Sequence, residues 1–239
     1  MAQRIDVLAR VARQADLMAR PDAALVQKGE TSYLLVKRIL DLVVASVLLV
    51  LLAPLLLLIA LLIHLDSPGP VLLTQKRVGQ GGRIFGFFKF RTMFQHINCE
   101  AHREFACNYV SGRFQPADRA GAALFKPAAK QVTRVGRILR RASLDELPQL
   151  LNVLRGEMSL VGPRPSIYYE LEAYKPWHLR RLEALPGMTG WAQIHGRSTL
   201  AFDRIVELDL EYLRSRSLRK DLVILLRTVP VVVSGKGAG

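Results

Sequence analysis

Leu42-Val-Val-Ala-Ser-Val-Leu-Leu-Val-Leu-Leu-Ala-Pro-Leu-Leu-Leu-Leu-Ile-Ala-Leu-Leu-Ile63 runs for 22 residues without a charge. About 20 apolar residues suffice to cross the hydrocarbon core of a bilayer, so this is a membrane segment rather than the buried helix of a soluble core. Pro54 lies near its middle, where it removes an intrahelical hydrogen bond and bends the helix. A bent helix can leave the bilayer by the face it entered. The flanks bear on this: Arg4, Arg10, Arg13, Arg20, Lys28, Lys37 and Arg38 precede the run, and Lys76, Arg77, Arg83, Lys89 and Arg91 follow it. Cations on both sides give a spanning helix no preferred orientation, whereas a hairpin with both ends in the cytoplasm satisfies the positive-inside rule. A spanning helix with a proline kink is the other reading, and the residues alone leave the two open.

The rest of the chain must supply a domain. At 239 residues it can bury one catalytic-sized core beside a membrane element. A hydrophobic fraction of 50% combined with a net charge of +14 points to a membrane surface and an anionic partner, which could be nucleic acid, anionic lipid or a phosphorylated substrate. Cys99 and Cys107 are the two cysteines and no secretory signal pattern opens the chain, so a reducing, cytosolic setting is expected. His96, Cys99, His102 and Cys107 have ligand-like spacing. They lack a paired Cys-x-x-Cys, and a polar loop or helix with ordinary thiols is the preferred reading.

Residues 1 to 30 read as an amphipathic arm ending near Pro21. Asp66-Ser-Pro-Gly-Pro70 breaks the chain, and Val71–Gln75 with Ile84–Phe90 alternate as a β-hairpin around Gly79, Gly81 and Gly82. The stretch 95–130 is polar and irregular, with a helix expected around Glu100–Tyr109. Beyond it the pattern predicts a basic helix over 134–141, a second helix over 144–154, a strand at Met158–Val161 and a helix through Trp177–Leu185. A turn at Pro186–Trp191 follows, then helices over 202–215 and 220–233. The last of these is apolar but interrupted by Arg227 and Pro230, and is expected to lie in the interface.

The chemistry-bearing residues cluster late. Ser143-Leu-Asp-Glu146 has the form of a capping box, which would give the acids a structural role. Arg134, Arg137 and Arg141 follow helical spacing and would bring a cationic face to the same turn. Cations there favour ionised carboxylates, keeping Asp145 available as a nucleophile and Glu146 as a hard oxygen ligand for Mg2+. Gly162-Pro-Arg-Pro165 freezes the backbone around Arg164, as a turn presenting it for bidentate phosphate binding would, and equally as a plain proline-rich turn with an exposed arginine would. Phe88-Lys-Phe-Arg-Thr-Met93 alternates aromatics with Lys89 and Arg91, as a surface strand, an RNA-binding strand or a phosphate grip would. Pro186-Gly-Met-Thr-Gly-Trp191 and the residues to Arg197 offer tight turns or ligand approach, with Trp191, Gln193 and Arg197 as candidate contacts. Asp209 reads locally as a helix-surface acid.

Taken in order, Lys37-Arg-Ile-Leu-Asp41, the Pro54 segment, Phe88–Met93, Arg137 through Gln149, Asn152–Gly156, Met158–Pro165, Pro186–Gln193 and Asp209 resemble the bacterial sugar transferase family, the monotopic polyprenyl-phosphate phosphoglycosyl transferases. The resemblance covers about four fifths of the chain. It implies an α+β, mostly helical fold: a re-entrant membrane helix hairpin plus a small cytoplasmic catalytic domain with a short β-hairpin and interfacial amphipathic helices. The expected organisation is an arm at 1–32, the re-entrant helix at 33–66 broken at Pro54, and the catalytic domain at 67–239 with a variable insertion at 95–130. The family often has Ser-Pro at the break where this chain has Ala53-Pro54.

The resemblance further implies transfer of a sugar-1-phosphate from a nucleoside diphosphate sugar, usually a UDP-sugar, to polyprenyl phosphate at the cytoplasmic face of the bacterial inner membrane. This step initiates exopolysaccharide, O-antigen or glycoconjugate assembly. Asp145 matches the family nucleophile and Glu146 its Mg2+ ligand, while Lys89, Arg91, Arg137, Arg141, Arg164, Arg197 and Asp209 are the expected substrate-phosphate set. The expected partners are the nucleoside diphosphate sugar, polyprenyl phosphate and the lipid bilayer, with no nucleic acid and with a homodimer left open. The alternative is a basic, membrane-anchored nucleic-acid or lipid-binding protein without catalysis.

Overall fold

The computed structural model describes residues 28–94, 99–114, 131–196 and 199–234. Helix α1, Lys28–Asp66, has 39 residues and runs through Pro54 without interruption, a length of about 58 Å at 1.5 Å per residue. It starts inside the expected arm, whose first 27 residues lie outside the described part. Among the described residues it is the one helix long and apolar enough to cross a membrane, and only 11% of its most apolar window is buried. The core helix of a soluble domain would be mostly covered.

What is covered on α1 forms a single stripe. Asp41, Ala45, Ile59 and Ile63 are buried, while Val50, Leu51, Leu57 and Leu65 on other faces are 69–75% exposed. The first half packs Ala45, Leu48 and Leu49 on the main core, with Phe85, Phe87, Leu150, Val153, Met158, Leu160, Val161, Tyr212 and Ile224. The second half packs Leu55, Leu56, Ile59, Ala60 and Ile63 around Phe90 and Leu139. Both ends of α1 therefore rest on the same folded domain. Polar contacts fasten the first end: Lys37 Nζ and Tyr33 OH each donate to Asp221 Oδ2 at 2.9 Å, and Tyr212 OH donates to Asp221 Oδ1 at 2.6 Å. Arg38 donates to the carbonyls of Val153 and Leu154, and Asp41 Oδ1 accepts from Leu160 N.

The hairpin forms as β1 (Leu72–Val78) and β2 (Ile84–Phe90), antiparallel in the register Leu72↔Phe90 to Val78↔Ile84. Gly81 and Gly82 adopt positive φ in its turn, which explains the glycines there. Helix α2 is Cys99–Val110, α3 is Arg134–Arg141, a 3-10 turn covers Leu144–Gln149, and α4 is Leu150–Arg155. Strands β3 (Ser159–Val161) and β4 (Ser166–Ile167) follow, then 3-10 turns at Tyr168–Ala173 and Pro176–Glu183. After β5 (Gly187–Thr189) come α5 (Trp191–Ile194), α6 (Phe202–Arg214) and α7 (Leu218–Ser234).

One sheet has the order β2-β1-β4, and β3 pairs in parallel with β5. The outer edge of β2 is closed by a side chain: the fully buried Asn152 accepts from Phe88 N at 3.1 Å and donates to Gly86 O at 2.7 Å. The segment read as a turn at Pro186–Trp191 contains β5, whose backbone lies against Gly162. A Cβ on Gly187 would fall 2.0 Å from Gly162 N, and one on Gly190 would fall 2.2 Å from Gly162 O. These glycines serve a backbone-to-backbone approach rather than a ligand.

Candidate active site

Asp145 and Glu146 lie in the 3-10 turn after α3, not in the first turn of a capped α-helix. Ser143 adopts φ +54 and makes no side-chain cap bond, so the expected capping box does not form. Its Glu146 carboxylate is engaged elsewhere: Arg164 Nη2 donates to Oε1 at 2.6 Å and Nη1 to Oε2 at 3.3 Å. That pairing crosses from the acid turn to the Gly162–Pro165 turn and sets the two segments face to face. Arg164 is held for it by more than its prolines. Its own carbonyl accepts from Arg181 Nη2 at 3.0 Å and the Pro165 carbonyl accepts from Arg77 Nη1 at 3.0 Å. β4 joins the same turn to the sheet by pairing Ser166 and Ile167 with Val78 and Arg77.

The charges around Asp145 come from three segments. Burial pushes its carboxyl up to about 6, and Glu146 adds to the rise, against the pull of Lys89, Arg140 and Arg164. The cations alone would hold this carboxyl ionised; burial beside a second acid outweighs them. Lys89, on β2, is pushed down to about 8 by burial and by Arg77, with Asp145 pulling the other way. Arg140 is lowered by burial and held up by Asp145 and Glu146. Two carboxylates thus sit among cations from three segments, a set of charges suited to holding phosphates while an oxygen nucleophile attacks one of them.

Several expected members lie elsewhere. Arg137 and Arg141 are exposed on the outer side of α3 with Arg134, because Gly136 and Leu139 turn inward. A Cβ on Gly136 would meet Thr92 O at 2.1 Å, which fixes that face. Among the described residues neither arginine pairs with a carboxylate, and Arg140 takes the place assigned to them. Arg91 is 1% exposed and bonds to backbone carbonyls, not toward the acids. Asp209 is no surface acid: it is 2% exposed and pairs with Arg181 at 2.7 Å. Arg197 and His96 lie outside the described residues.

Trp191 Nε1 donates to Glu211, and Lys220 Nζ lies 4.3 Å over its ring; Gln193 Nε2 donates to Met188 O. His102 Nδ1 and Tyr169 OH are 2.5 Å apart, and Cys107 Sγ donates to Tyr169 O. The described residues contain no group of three or more His, Cys, Asp or Glu placed to hold a metal. Phe90, Arg91 and Thr92 are buried, whereas Phe88 is half-buried with the Arg155 guanidinium 4.6 Å over its ring.

Sequence reasoning overlooked Arg140, Arg77, Arg181 and Glu170. Glu170 is raised by burial and faces Arg77, Arg181 and Arg164, while its Oε2 accepts from Ile167 N. The signal for Arg140 was present in Gly136 and Leu139, which mark the inward face of α3.

An acid pair set among guanidiniums and the half-buried Lys89, on a domain that carries a long apolar helix, is the arrangement of a membrane-associated protein built to meet phosphates. The chain belongs to the bacterial sugar transferase family, whose model matches residues 32–235. It is 44% identical over 210 residues to the UDP-glucose:undecaprenyl-phosphate glucose-1-phosphate transferase of Caulobacter vibrioides, covering 84% of this chain and 71% of that protein. It is 40% identical to the exopolysaccharide production protein ExoY of Rhizobium meliloti, covering 84% of this chain and 87% of the relative. It is 39% identical to the UDP-N-acetylgalactosamine-undecaprenyl-phosphate N-acetylgalactosaminephosphotransferase of Aeromonas hydrophila, covering 86% of this chain but 45% of that relative.

Proposed function

We propose that the chain transfers a sugar-1-phosphate from a UDP-sugar to undecaprenyl phosphate at the cytoplasmic face of the inner membrane, as the first membrane step of exopolysaccharide assembly. The observation that carries this is Asp145 and Glu146 facing Arg164, Arg140 and Lys89 at the end of α1. The names of the relatives supply the substrate class.

In the first displacement an Asp145 carboxylate oxygen attacks the phosphorus that carries the sugar. An O–P bond forms, the bridging P–O bond of the diphosphate breaks, and UMP leaves with the bonding pair. In the second, a phosphate oxygen of the polyprenyl acceptor attacks the same phosphorus, and the aspartyl O–P bond breaks to restore Asp145. Lys89, Arg140 and Arg164 bind the phosphate oxygens throughout and orient the phosphorus for in-line attack.

Mg2+ fits this donor set. It binds through one or two carboxylates and completes its shell with substrate phosphates and water, and Asp145 and Glu146 are two adjacent carboxylates of one short turn. Glu146 would hold the ion with Asp145 beside it, and the ion would neutralise charge on the diphosphate.

The topology that goes with this chemistry is re-entrant. Residues from both halves of α1 pack on one domain, which supports a reading in which both ends lie on one face of the membrane with Pro54 between them. The arm, the insertion and a homodimer have no assigned part in this reading.

The test is to incubate the full chain in nanodiscs with UDP-sugars and Mg2+, without acceptor, and to look by intact mass for a sugar-phosphate adduct and for UMP. Asp145→Asn is expected to lose both. Release of UDP in place of UMP, or turnover retained in the variant, overturns the proposal.

A further inference from the structure

Lys89 and Arg91 are two residues apart on and just after β2, yet only Lys89 faces the acids. The Arg91 guanidinium reaches back to the end of α1, donating to Ser67 O at 2.6 Å, Pro68 O at 2.7 Å and Ile63 O at 3.4 Å. Its amide donates to Val71 O at 2.9 Å. A helix C-terminus leaves carbonyls without partners and carries partial negative charge, so a buried guanidinium there satisfies several acceptors at once.

The same junction receives α3. Asp66, the last residue of α1, accepts from Val135 N at 3.0 Å, filling one of the donor positions that open at a helix N-terminus. Thr133 caps Gly136 N, Thr133 N donates to Thr92 O, and Gly136 leaves no room for a side chain against Thr92. Three segments thus meet at one point: the end of the membrane helix, the strand that presents Lys89, and the helix that carries Arg140 and runs into Asp145.

We propose that Arg91 and Asp66 are positioning residues for phosphoryl transfer: together they seat Lys89 and Asp145 on the end of the membrane helix, so that the helix terminus is a working part of the catalytic scaffold. This rests on the transferase reading above. Lys89 and Asp145 belong to separate segments with no covalent short cut between them, and in-line displacement tolerates little error in their relative placement. A misplacement of about 1 Å costs on the order of a hundredfold in rate. Neither Arg91 nor Asp66 needs to touch substrate for its loss to be felt there.

The experiment compares Arg91→Ala, Arg91→Lys, Asp66→Ala, Asp66→Asn and the double alanine variant as full chains in nanodiscs, alongside the parent. UMP release gives kcat and the KM for UDP-sugar, and hydrogen exchange reports the Val135 amide. The expected result is that R91A and D66A each lower kcat by about thirtyfold or more with KM changed less than threefold, within the range that misplacement produces. D66N keeps an acceptor oxygen and recovers most of the rate, and the double variant falls well short of the product of the single losses, as residues sharing one junction do. The Val135 amide exchanges faster in D66A than in the parent.

A KM that rises while kcat is kept makes Arg91 a substrate ligand and overturns the proposal, as do multiplicative losses or a D66N as slow as D66A. If R91A fails to fold, the Asp66 pair decides the matter by itself. A parent chain that releases no UMP sinks the transferase reading instead, and the exchange of the Val135 amide then decides the junction separately.

Discussion

Two arginine–carboxylate pairs in this molecule have nearly the same length and opposite circumstances. Arg164 and Glu146 meet at 2.6 Å with side chains 42% and 27% exposed, whereas Arg181 and Asp209 meet at 2.7 Å with side chains 4% and 3% exposed. The open pair is reachable from solvent and, in the proposed reaction, is the one a phosphate would meet; the closed pair lies under the Arg164 turn and donates a further hydrogen bond to that turn's backbone. Distance alone says nothing about which pair does chemistry. Burial separates a structural pair from an open one, and the charges gathered around the open pair, Asp145, Lys89 and Arg140, mark it out from other open pairs.

The sharpest way to break this contrast is at the closed pair. Asp209→Ala leaves Arg181 buried with one partner fewer, and is expected to cost about 3–5 kcal/mol of stability, measured by thermal or denaturant unfolding in detergent. A loss below about 1 kcal/mol, the range of surface pairs, would erase the distinction. Glu146→Gln should do the reverse. Its unfolding midpoint stays near the parent's, while UMP release falls by roughly a hundredfold, the scale of losing one preorganised electrostatic group.

Arg164→Lys sharpens the comparison further, because lysine keeps the charge and gives up the fork. Turnover is expected to drop about tenfold, the worth of one charge-assisted hydrogen bond, with stability unchanged. The smallest effect belongs to a pair that is short but peripheral. Arg103 meets Glu172 at 2.6 Å with side chains 47% and 26% exposed, and Glu172→Gln should leave stability within about 0.5 kcal/mol and turnover unaltered.

Much of this was legible in the residues. The bounds of α3 and β2, and the end of the apolar helix at Asp66, follow from periodicity and from Gly and Pro punctuation; β1 runs three residues beyond the expected Gln75 and the helix begins five residues before the expected start, inside the arm, and the acid pair announced itself by its setting. What escaped was decided at long range. β4 and β5 are two and three residues long and exist because distant backbone pairs with them. The choice of Arg140 over Arg137 and Arg141 depends on which side of α3 meets Thr92. Asp209 looked like a surface acid because Arg181, its partner, comes from another element. Arg91 resembled a phosphate ligand because its three carbonyl acceptors belong to the last turn of α1 and the two residues after it, which the alternating pattern of Phe88–Met93 does not reveal.

Asn152 carries a consequence for handling the protein as well as for its fold. A strand edge with unpaired amides and carbonyls is a template for another chain, and on β2 the amide of Asn152 occupies that edge by imitating a neighbouring strand. Replacing it with an apolar side chain of similar size would uncover Gly86 O and Phe88 N beside the core phenylalanines. Oligomers of such a variant would be edge-to-edge assemblies, and their appearance in size-exclusion profiles would report lost protection rather than a native quaternary state.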